Sequence, residues 1–563
     1  MAMSTERPGS SRTIVSRRGD QGCLETALVQ WRTLLGTEHV AADPDSLAHY
    51  QRNTLPEQRR IAAALRPAST DEVCQVVQIA AAHGIPLYPI SRGKNFGYGT
   101  MTPVLEGNVV LDLGRMQRIE VNRELAYAVV EPGVTQQQLH DYLKEHHIQL
   151  WIDPTGAGPD ASLLGNALER GYGITPYGDH FAQICGMEVV LADGETLRTG
   201  FGHFDAAEAT HVFPRGMGPY LDGLFTQSNF GIVTRMGLWL MPVPEHFELC
   251  LFSAEEDAAL EALIEQVRRL LLQGSVRSSV NLMHRDRVLT VMQQYPWEEM
   301  QGQTPLSAEV SEAIGRRRKL GTWNGVAALY GTRGEVRAAR RTIRRALRGH
   351  VSRLAFISQT TLRLLQRFPR LLSLATGLNI PEIIEAVRPT FGILSGTPNR
   401  VAMRTPYWRH RQPAPEQPVD PAADGCGLIW FAPVIPMTPR CVEQFRAIVE
   451  PILASHGFEC CITLTTVNAR SFDCTLPILY DRTDPREAAR ARRCYDALLS
   501  ACAEAGYLPY RLDVRSMHCL AERSRGFWEV CGRLKRALDP LGILAPGRYE
   551  PAAQSDLADE RAA

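Results

Sequence analysis

Short apolar runs alternate with helical periods along most of the chain. In "ASTDEVCQVVQIAAAHG" (68–84) the apolar positions Val73, Val76, Val77 and Ile79-Ala80 recur at three- and four-residue steps and so share one helix face. Ser69 with Glu72 three positions on is a capping-box pattern, and Gly84 supplies the stop. "IAAALRP" before this helix leads into it, and "IPLYPI" (85–90) after it reads as a short buried strand that runs into a turn-rich loop. The unit strand, helix, strand, glycine loop is an α/β pattern, with the loop at the carboxyl end of the strand where open α/β sheets bind ligands. "GNVVLDLGRM" predicts another strand and "RIEVNRELAYAVVEPG" a hairpin. "VTQQQLHDYLKEHHIQL" predicts a helix opened by a Thr135–Gln138 capping box. "MEVVLADGETLRTG" predicts a hairpin turning at Ala-Asp-Gly.

"PVPEH" (242–246) punctuates the chain and marks an expected domain boundary. Beyond it, "ELCLFSAEEDAALEALIEQVRRLLLQG" predicts a strand and then a helix starting at a Ser253–Glu256 capping box. "GVAALYGTRGEVRAARRTIRRALRG" repeats the plan. So does "GLIWFAPVIPMTPRCVEQFRAIVEPILASHG", with Thr438 as N-cap and Pro439 at the first helical position. Recurring strand-then-helix units predict a sheet backed by helices. The basic helix at 336–348 reads as a solvated face in preference to an anion or partner surface. The Pro/Ala/Asp-rich stretch 410–427 reads as a long loop, and residues 1–21 as a loose polar tail.

Composition narrows the class without naming it. The chain has 563 residues, 44% hydrophobic and 22% charged, enough to bury large cores. Lys+Arg 61 balance Asp+Glu 61, which argues against a nucleic-acid binder that relies on bulk positive potential. The first twenty residues lack the apolar core of a signal peptide, and the longest apolar stretch, "LIWFAPVIPM", falls short of the ~20 residues of a spanning helix. The 13 cysteines form no C-x-x-C pair, so free thiols in a reducing cytoplasm and no metal site are expected. P-loop, Rossmann, H-E-x-x-H and G-x-S-x-G patterns are absent.

Candidate chemistry sits in three irregular loops. "YPISRGKNFGYGT" (88–100) carries Gly93, Gly97 and Gly99 with Arg92 and Lys94. Its composition fits equally a backbone cradle for phosphate or a tight basic surface turn. "LLGNALERGYGITPYGDHFAQICGMEVVLADG" (163–194) tips the balance. It gathers glycines, Asn166, Thr175, Tyr177, Asp179 and His180 into irregular backbone before a strong strand, as a flat, hydrogen-bonding cofactor requires. "GLFTQSNFGIVTRMGLWLMP" (223–242) adds a third such loop.

Together these segments resemble the vanillyl-alcohol oxidase / p-cresol methylhydroxylase flavoprotein family. "RGKNFGYG", "LGN-x-x-ERG", "TPYGDH" and "DGLF-x-QSN-x-GIVT" stand in the family's order over about 60–245, and "WFAPV", "ILYDRTDP", "YRLDVR" and "ALDPLGILAPGRY" extend the likeness over about 428–550. The resemblance implies a two-domain α+β fold: a PCMH-type FAD-binding domain over 22–243, an α+β cap over 244–500, and a segment over 501–563 that returns to the FAD domain. It implies FAD as cofactor. Ser91, Arg92, Gly93, Lys94 and Asn95 would wrap the pyrophosphate, and Asn166, Gly171, Thr175, Gly178, Gly231 and Ile232 would line the ribityl chain and ring. Arg548 would stand near the electron-rich edge of the flavin. The same likeness implies a phenol-binding trio, Tyr98, Tyr510 and Arg511, with Asp473 and Asp160 as acid/base candidates.

Two departures stand out. No His or Tyr immediately precedes Trp430, where relatives tether the flavin, and Tyr407 and His410 are the nearest candidates; the 470–482 segment lacks the paired histidines of several relatives. The implied reaction removes hydride from the benzylic carbon of a para-substituted phenol through a quinone methide. The alternatives are oxidation of another alcohol or a 2-hydroxy acid, or a non-catalytic flavoprotein subunit. Expected partners are a small phenol, oxygen or an electron-acceptor protein, and further copies of the chain in a homo-oligomer.

Overall fold

The computed structural model describes residues 21–376, 379–416 and 420–550. Residues 1–20 of the expected tail and 417–419 of the expected loop lie outside them. Four strands form the first sheet, in the order Val40–Ala41, Ala63–Leu65, Val109–Asp112, Leu87–Ile90, and the last three run parallel. Parallel strands need both faces covered, and their side chains are accordingly apolar. The helix Gln21–Leu35 packs on the helix Thr70–His83, and Trp31, Val73, Val76, Val77 and Ala80 join Leu65, Leu87, Val109 and Leu111 in one buried cluster.

Local signals account for the helix ends. Ser69 Oγ accepts from Glu72 N at 3.2 Å, and Gly84 ends the helix at φ +64. The expected reciprocal bond is displaced by one residue: Glu72 Oε2 accepts from Ala68 N at 2.6 Å instead of from Ser69. The Thr135–Gln138 capping box forms in full, with Gln138 N donating to Thr135 Oγ1 at 3.1 Å and Thr135 N to Gln138 Oε1 at 2.8 Å. A five-stranded antiparallel sheet follows, in the order Ile119–Asn122, Tyr127–Val130, Ile232–Trp239, Ile184–Val190, Thr196–Arg198. Its last pair is the hairpin predicted at Ala-Asp-Gly.

Residues 246–481 build a large sheet in the order Arg353–Ser358, His246–Ala254, Trp323–Gly331, Asn281–His284, Thr463–Asn468, Ser471–Asp481, Cys426–Phe431, with Val434–Pro436 paired beside Ser471–Asp481. The helices Ala259–Leu272, Arg333–Ala346, Pro439–Ser455 and Pro485–Glu504 bury their apolar stripes on it. The Ser253–Glu256 capping box is not formed. His246–Ala254 is a nine-residue strand hydrogen-bonded on both sides, so Ser253 pairs with Asn324 and Arg353 and the helix starts only at Ala259. Ladder bonds on two edges outweigh one cap.

The chain then returns to the first sheet. Leu87 N donates to Ile543 O and Ala545 N to Leu87 O, both at 2.7 Å, adding Leu544 as a parallel bridge at the sheet's edge. Lys535 Nζ fixes this return, donating to Asp539 Oδ2, Asn229 O and Leu544 O at 2.7 Å each. All 13 cysteines are free thiols, and no helix among the described residues is long and apolar enough to cross a membrane.

Candidate active site

A cavity of about 410 Å³ opens where these parts meet. Such volumes are typical of small-molecule sites. Its lining includes Ser91, Arg92, Gly93, Lys94 and Asn95 from the loop after Leu87–Ile90, and Asn166 and Gly171 from the second loop. Gly231 and Ile232 come from the third loop, and Tyr510, Arg511 and Arg548 from the returning C-terminal segment. The large sheet supplies the opposite wall through period-two alternation. Leu464, Phe472, Cys474 and Leu476 point into the core under the helices, whereas Thr465, Asp473 and Thr475 line the cavity.

Glycines hold the 88–100 loop against its neighbours. Gly97 (φ +78) donates its N–H to Thr54 Oγ1 at 2.8 Å and accepts from Trp430 N at 3.2 Å. A Cβ there would sit 2.3 Å from Trp430 Cδ1, so only glycine admits this approach. The turn presents Tyr98, whose carbonyl accepts from Val514 N at 3.1 Å. Across it, Tyr510 N donates to Ala432 O at 3.2 Å and Gln227 Nε2 to Tyr510 O at 3.0 Å. Tyr98, Tyr510 and Arg511, the trio that the resemblance implied, are thereby brought together. The Arg511 guanidinium lies 4.1 Å over the Tyr98 ring, and the Tyr98 and Tyr510 hydroxyls are hydrogen-bonded.

Electrostatics separate the charged from the neutral groups. Burial would lower the Arg511 pKa, but Glu169, with Tyr510 and Tyr98, more than offsets it and raises the guanidinium above its ordinary value. Burial pushes the Tyr98 hydroxyl well up, with Tyr510 adding to it, and pushes Tyr510 up likewise. Tyr172, edge-on to Tyr510 at 5.3 Å between ring centres, is pushed up to about 12, chiefly by burial. Asp473 is buried with Oδ1 unpartnered, and burial raises its carboxyl well above its ordinary value.

Glu169 is a central residue the sequence reasoning passed over. Its Oε2 lies 3.1 Å from Arg511 Nε, and its Oε1 accepts from Arg548 NH2. Arg548 also donates from Nε to Ser228 O at 3.1 Å. Burial would raise the Glu169 carboxyl, but Arg548 and Arg511 outweigh it and hold the group ionised. Glu169 stands inside the "LGN-x-x-ERG" stretch, yet nothing in its spacing pairs it with arginines more than 300 residues away.

Other expected residues lie elsewhere. Asp160 is absent from the cavity lining, and its Oδ2 accepts from Arg400 NH2 at 2.8 Å. Thr175 and Gly178 form a turn behind the wall. Thr175 N donates to Asp153 Oδ1 at 3.1 Å, Gly178 N to Thr175 O at 3.1 Å, and Gly173 N to Gly178 O at 2.9 Å, so this turn buttresses the lining residue Gly173. Neither Tyr407 nor His410 is among the lining residues, and the Tyr407 hydroxyl donates to Asp424.

Comparisons with known proteins identify the family and the fold. The FAD binding domain family matches residues 61–200. The chain is 41% identical over 529 residues to 1'-carboxy-chondrochloren decarboxylase of Chondromyces crocatus, covering 94% of this chain and 97% of that protein. It is 33% identical over 540 residues to the 4-cresol dehydrogenase [hydroxylating] flavoprotein subunit of Pseudomonas putida, covering 94% and 96%. A solved structure of 4-ethylphenol oxidase from Gulosibacter chungangensis, an isoeugenol complex, superposes with a TM-score of 0.85 at 30% identity over 96% of this chain and 99% of that one. The fold and site therefore define a two-domain, FAD-dependent oxidoreductase. The chain belongs to the vanillyl-alcohol oxidase / p-cresol methylhydroxylase flavoprotein family.

The lining suits such a cofactor on its own evidence. Arg92 lines the cavity with its Nε buried and unpartnered, and its NH1 donates to Gly114 O at 3.5 Å, so no carboxylate answers its charge by a hydrogen bond among the described residues. Two lining glycines let the wall's backbone pack closely on its neighbours: a Cβ would stand 2.2 Å from Ser91 Oγ at Gly165 and 2.5 Å from Val189 Cγ1 at Gly231.

Proposed function

We propose that the enzyme oxidises para-substituted phenols at the benzylic carbon. Bound FAD supplies the acceptor for the departing hydride. In this reading Ser91–Asn95, with Arg92 and Lys94, hold the pyrophosphate, while Asn166, Gly171, Gly231 and Ile232 face the ribityl chain and ring. Thr175 and Gly178 act from behind that wall. Arg548, fixed by Glu169 and Ser228, places positive charge where the cofactor gains negative charge on reduction.

The observation that carries the reading is the convergence of Tyr98, Tyr510 and Arg511 on one side of the cavity. Two neutral hydroxyl donors and a permanently charged guanidinium favour a phenolate over a phenol. They keep hold of the same oxygen as it becomes the carbonyl of a quinone methide. Asp473 lines the cavity with a carboxyl that burial pushes upward, and in this reading it exchanges a proton with the substrate side chain. Reoxidation falls to oxygen or to an acceptor protein.

Anaerobic mixing of the holoenzyme with 4-ethylphenol, watching flavin absorbance, tests the proposal. Bleaching by phenols and not by 2-hydroxy acids is expected. Arg511→Met is expected to slow bleaching by about a hundredfold or more while FAD stays bound, the range for losing a charged transition-state contact. Unchanged bleaching by that variant would remove the phenolate assignment.

The decarboxylase relative favours a second reading of the same site. Where the carbon next to the benzylic one bears a carboxylate, the quinone methide can break its C–CO₂ bond. The electron pair forms the new C=C bond and restores the aromatic phenolate as carbon dioxide leaves. Conversion of 3-(4-hydroxyphenyl)propanoate to 4-vinylphenol, rather than to a side-chain alcohol, distinguishes this outcome.

A further inference from the structure

The cavity's charges do not cancel within the protein. Lys94 is paired with Asp420 at 3.8 Å, and Arg511 and Arg548 share Glu169. Arg92 belongs to the loop proposed for the pyrophosphate. Arg287 remains. It lines the cavity from the helix Arg285–Met292, which follows the strand Asn281–His284 of the large sheet. It therefore enters from the sheet side of the cavity, whereas Tyr510 and Arg511 enter from the C-terminal segment.

Every hydrogen bond Arg287 makes among the described residues is to a neutral group and leaves from one nitrogen. NH1 donates to Thr290 Oγ1 at 2.9 Å and to Thr405 Oγ1 at 3.1 Å. Its Nε is buried with no partner. The neighbouring acid offers nothing: Asp286 accepts from Ser311 Oγ and stands 3.5 Å from His284 Nδ1. The Trp430 ring lies 6.0 Å from the guanidinium carbon and, with Pro406 and Leu428, makes this part of the wall apolar. Burial lowers the Arg287 pKa, with only the Cys461 thiol acting the other way, yet an arginine keeps its proton in a protein. A guanidinium held by two threonines at NH1 leaves its Nε–NH2 edge without a partner among the described residues, and that is the side that takes a carboxylate through two parallel bonds.

We propose that Arg287 is the receptor for a carboxylate on the substrate's side chain, so that the substrates are 4-hydroxyphenyl acids rather than plain alkylphenols. The inference rests on the phenol reading above for the aromatic end of the molecule and adds a second anchor at the other end. The phenolate oxygen is held by Arg511 and the carboxylate by Arg287, with the benzylic carbon between them.

The test compares holoenzyme binding of 3-(4-hydroxyphenyl)propanoate, 4-propylphenol and the phenol-free 3-phenylpropanoate. Perturbation of the flavin spectrum reports binding, and anaerobic bleaching is recorded separately. The wild type is expected to bind the hydroxyphenyl acid about tenfold to a hundredfold more tightly than the alkylphenol, the range for hydrogen bonds to a charged group. Arg287→Gln is expected to bring the two within about threefold of each other, and Arg287→Lys to keep part of the preference. No preference in the wild type, or an undiminished one in Arg287→Gln, would overturn the assignment. If Arg287→Gln does not fold, the wild-type ratio and that of Arg287→Lys decide alone. Failure of the phenol reading looks different: none of the phenols bleaches the flavin, while binding of 3-phenylpropanoate still reports on Arg287.

Discussion

Replacing Glu169 by Gln tests whether one carboxylate holds both arginines of the site. Glutamine keeps the shape and one acceptor but removes the charge, leaving Arg511 and Arg548, whose side chains are 8% and 12% exposed, without an anion. Removing one partner of a buried pair costs about 3–5 kcal/mol, and a carboxylate serving two cations belongs at the upper end. Unfolding entropy of about 2.1 cal/mol/K per residue makes 1 kcal/mol roughly one degree for a chain of this size, so Tm should fall by about 3–5 °C at neutral pH. The pH dependence follows from the pKa direction. The folded carboxyl lies below its ordinary value of 4.5, because Arg548 and Arg511 outweigh the opposing effect of burial. Its contribution is full above the ordinary carboxylate range and is lost as pH falls through the lower folded value. Thermal melts of FAD-saturated wild type and variant, followed by tryptophan fluorescence from pH 8 downward, should show a gap that closes under acid conditions. A gap below about 1 °C at pH 7, or one that ignores pH, would refute the reasoning.

Asp473→Asn should act with the opposite sign. Burial raises the folded carboxyl, so wild-type stability declines as pH rises above the ordinary value of 3.8, where only the unfolded chain has lost its proton. The variant should melt higher than wild type at pH 8 and level with it near pH 4; a lower melt at pH 8 would show that Asp473 is ionised. Gly97→Ala places a Cβ 2.3 Å from Trp430 Cδ1 at φ +78 and should destabilise by about 1–3 kcal/mol. It should also lower kcat/KM for 4-ethylphenol by displacing Tyr98, and activity at the wild-type level would show that the loop does not position it.

How much the sequence disclosed depended on the range of the interaction. The helix 70–83, the Thr135–Gln138 capping box and the 187–200 hairpin rest on residues within a turn of one another, so local pattern was enough. Ser253 shows the limit: its cap pattern is local, but the strands on both sides of it come from residues 323–331 and 353–358. The cavity needed more. The trio of Tyr98, Tyr510 and Arg511 was legible only through ordered motifs, since Arg511 meets Asn95 across 416 residues of chain. Asp160 and Arg400 pair across 240 residues, a partnership no motif announces. Glu169 and Arg287 carry no local mark because their significance lies in which charges are compensated, and that is a property of the assembled cavity.

The return of the C-terminal segment to Leu87 makes this enzyme a closed circuit. Tyr510, Arg511 and Arg548 reach their places only when the last described stretch of chain lies beside a strand formed near the beginning. A nascent chain halted before residue 505 would carry the glycine loops and the wall bearing Asp473, yet neither of the guanidiniums that share Glu169. Glu169 would then lack both of the cations that it pairs with in the folded chain. The cavity thus depends on a long-range closure: Tyr510, Arg511 and Arg548 join the glycine loops in its wall only once residues 543–545 lie beside Leu87.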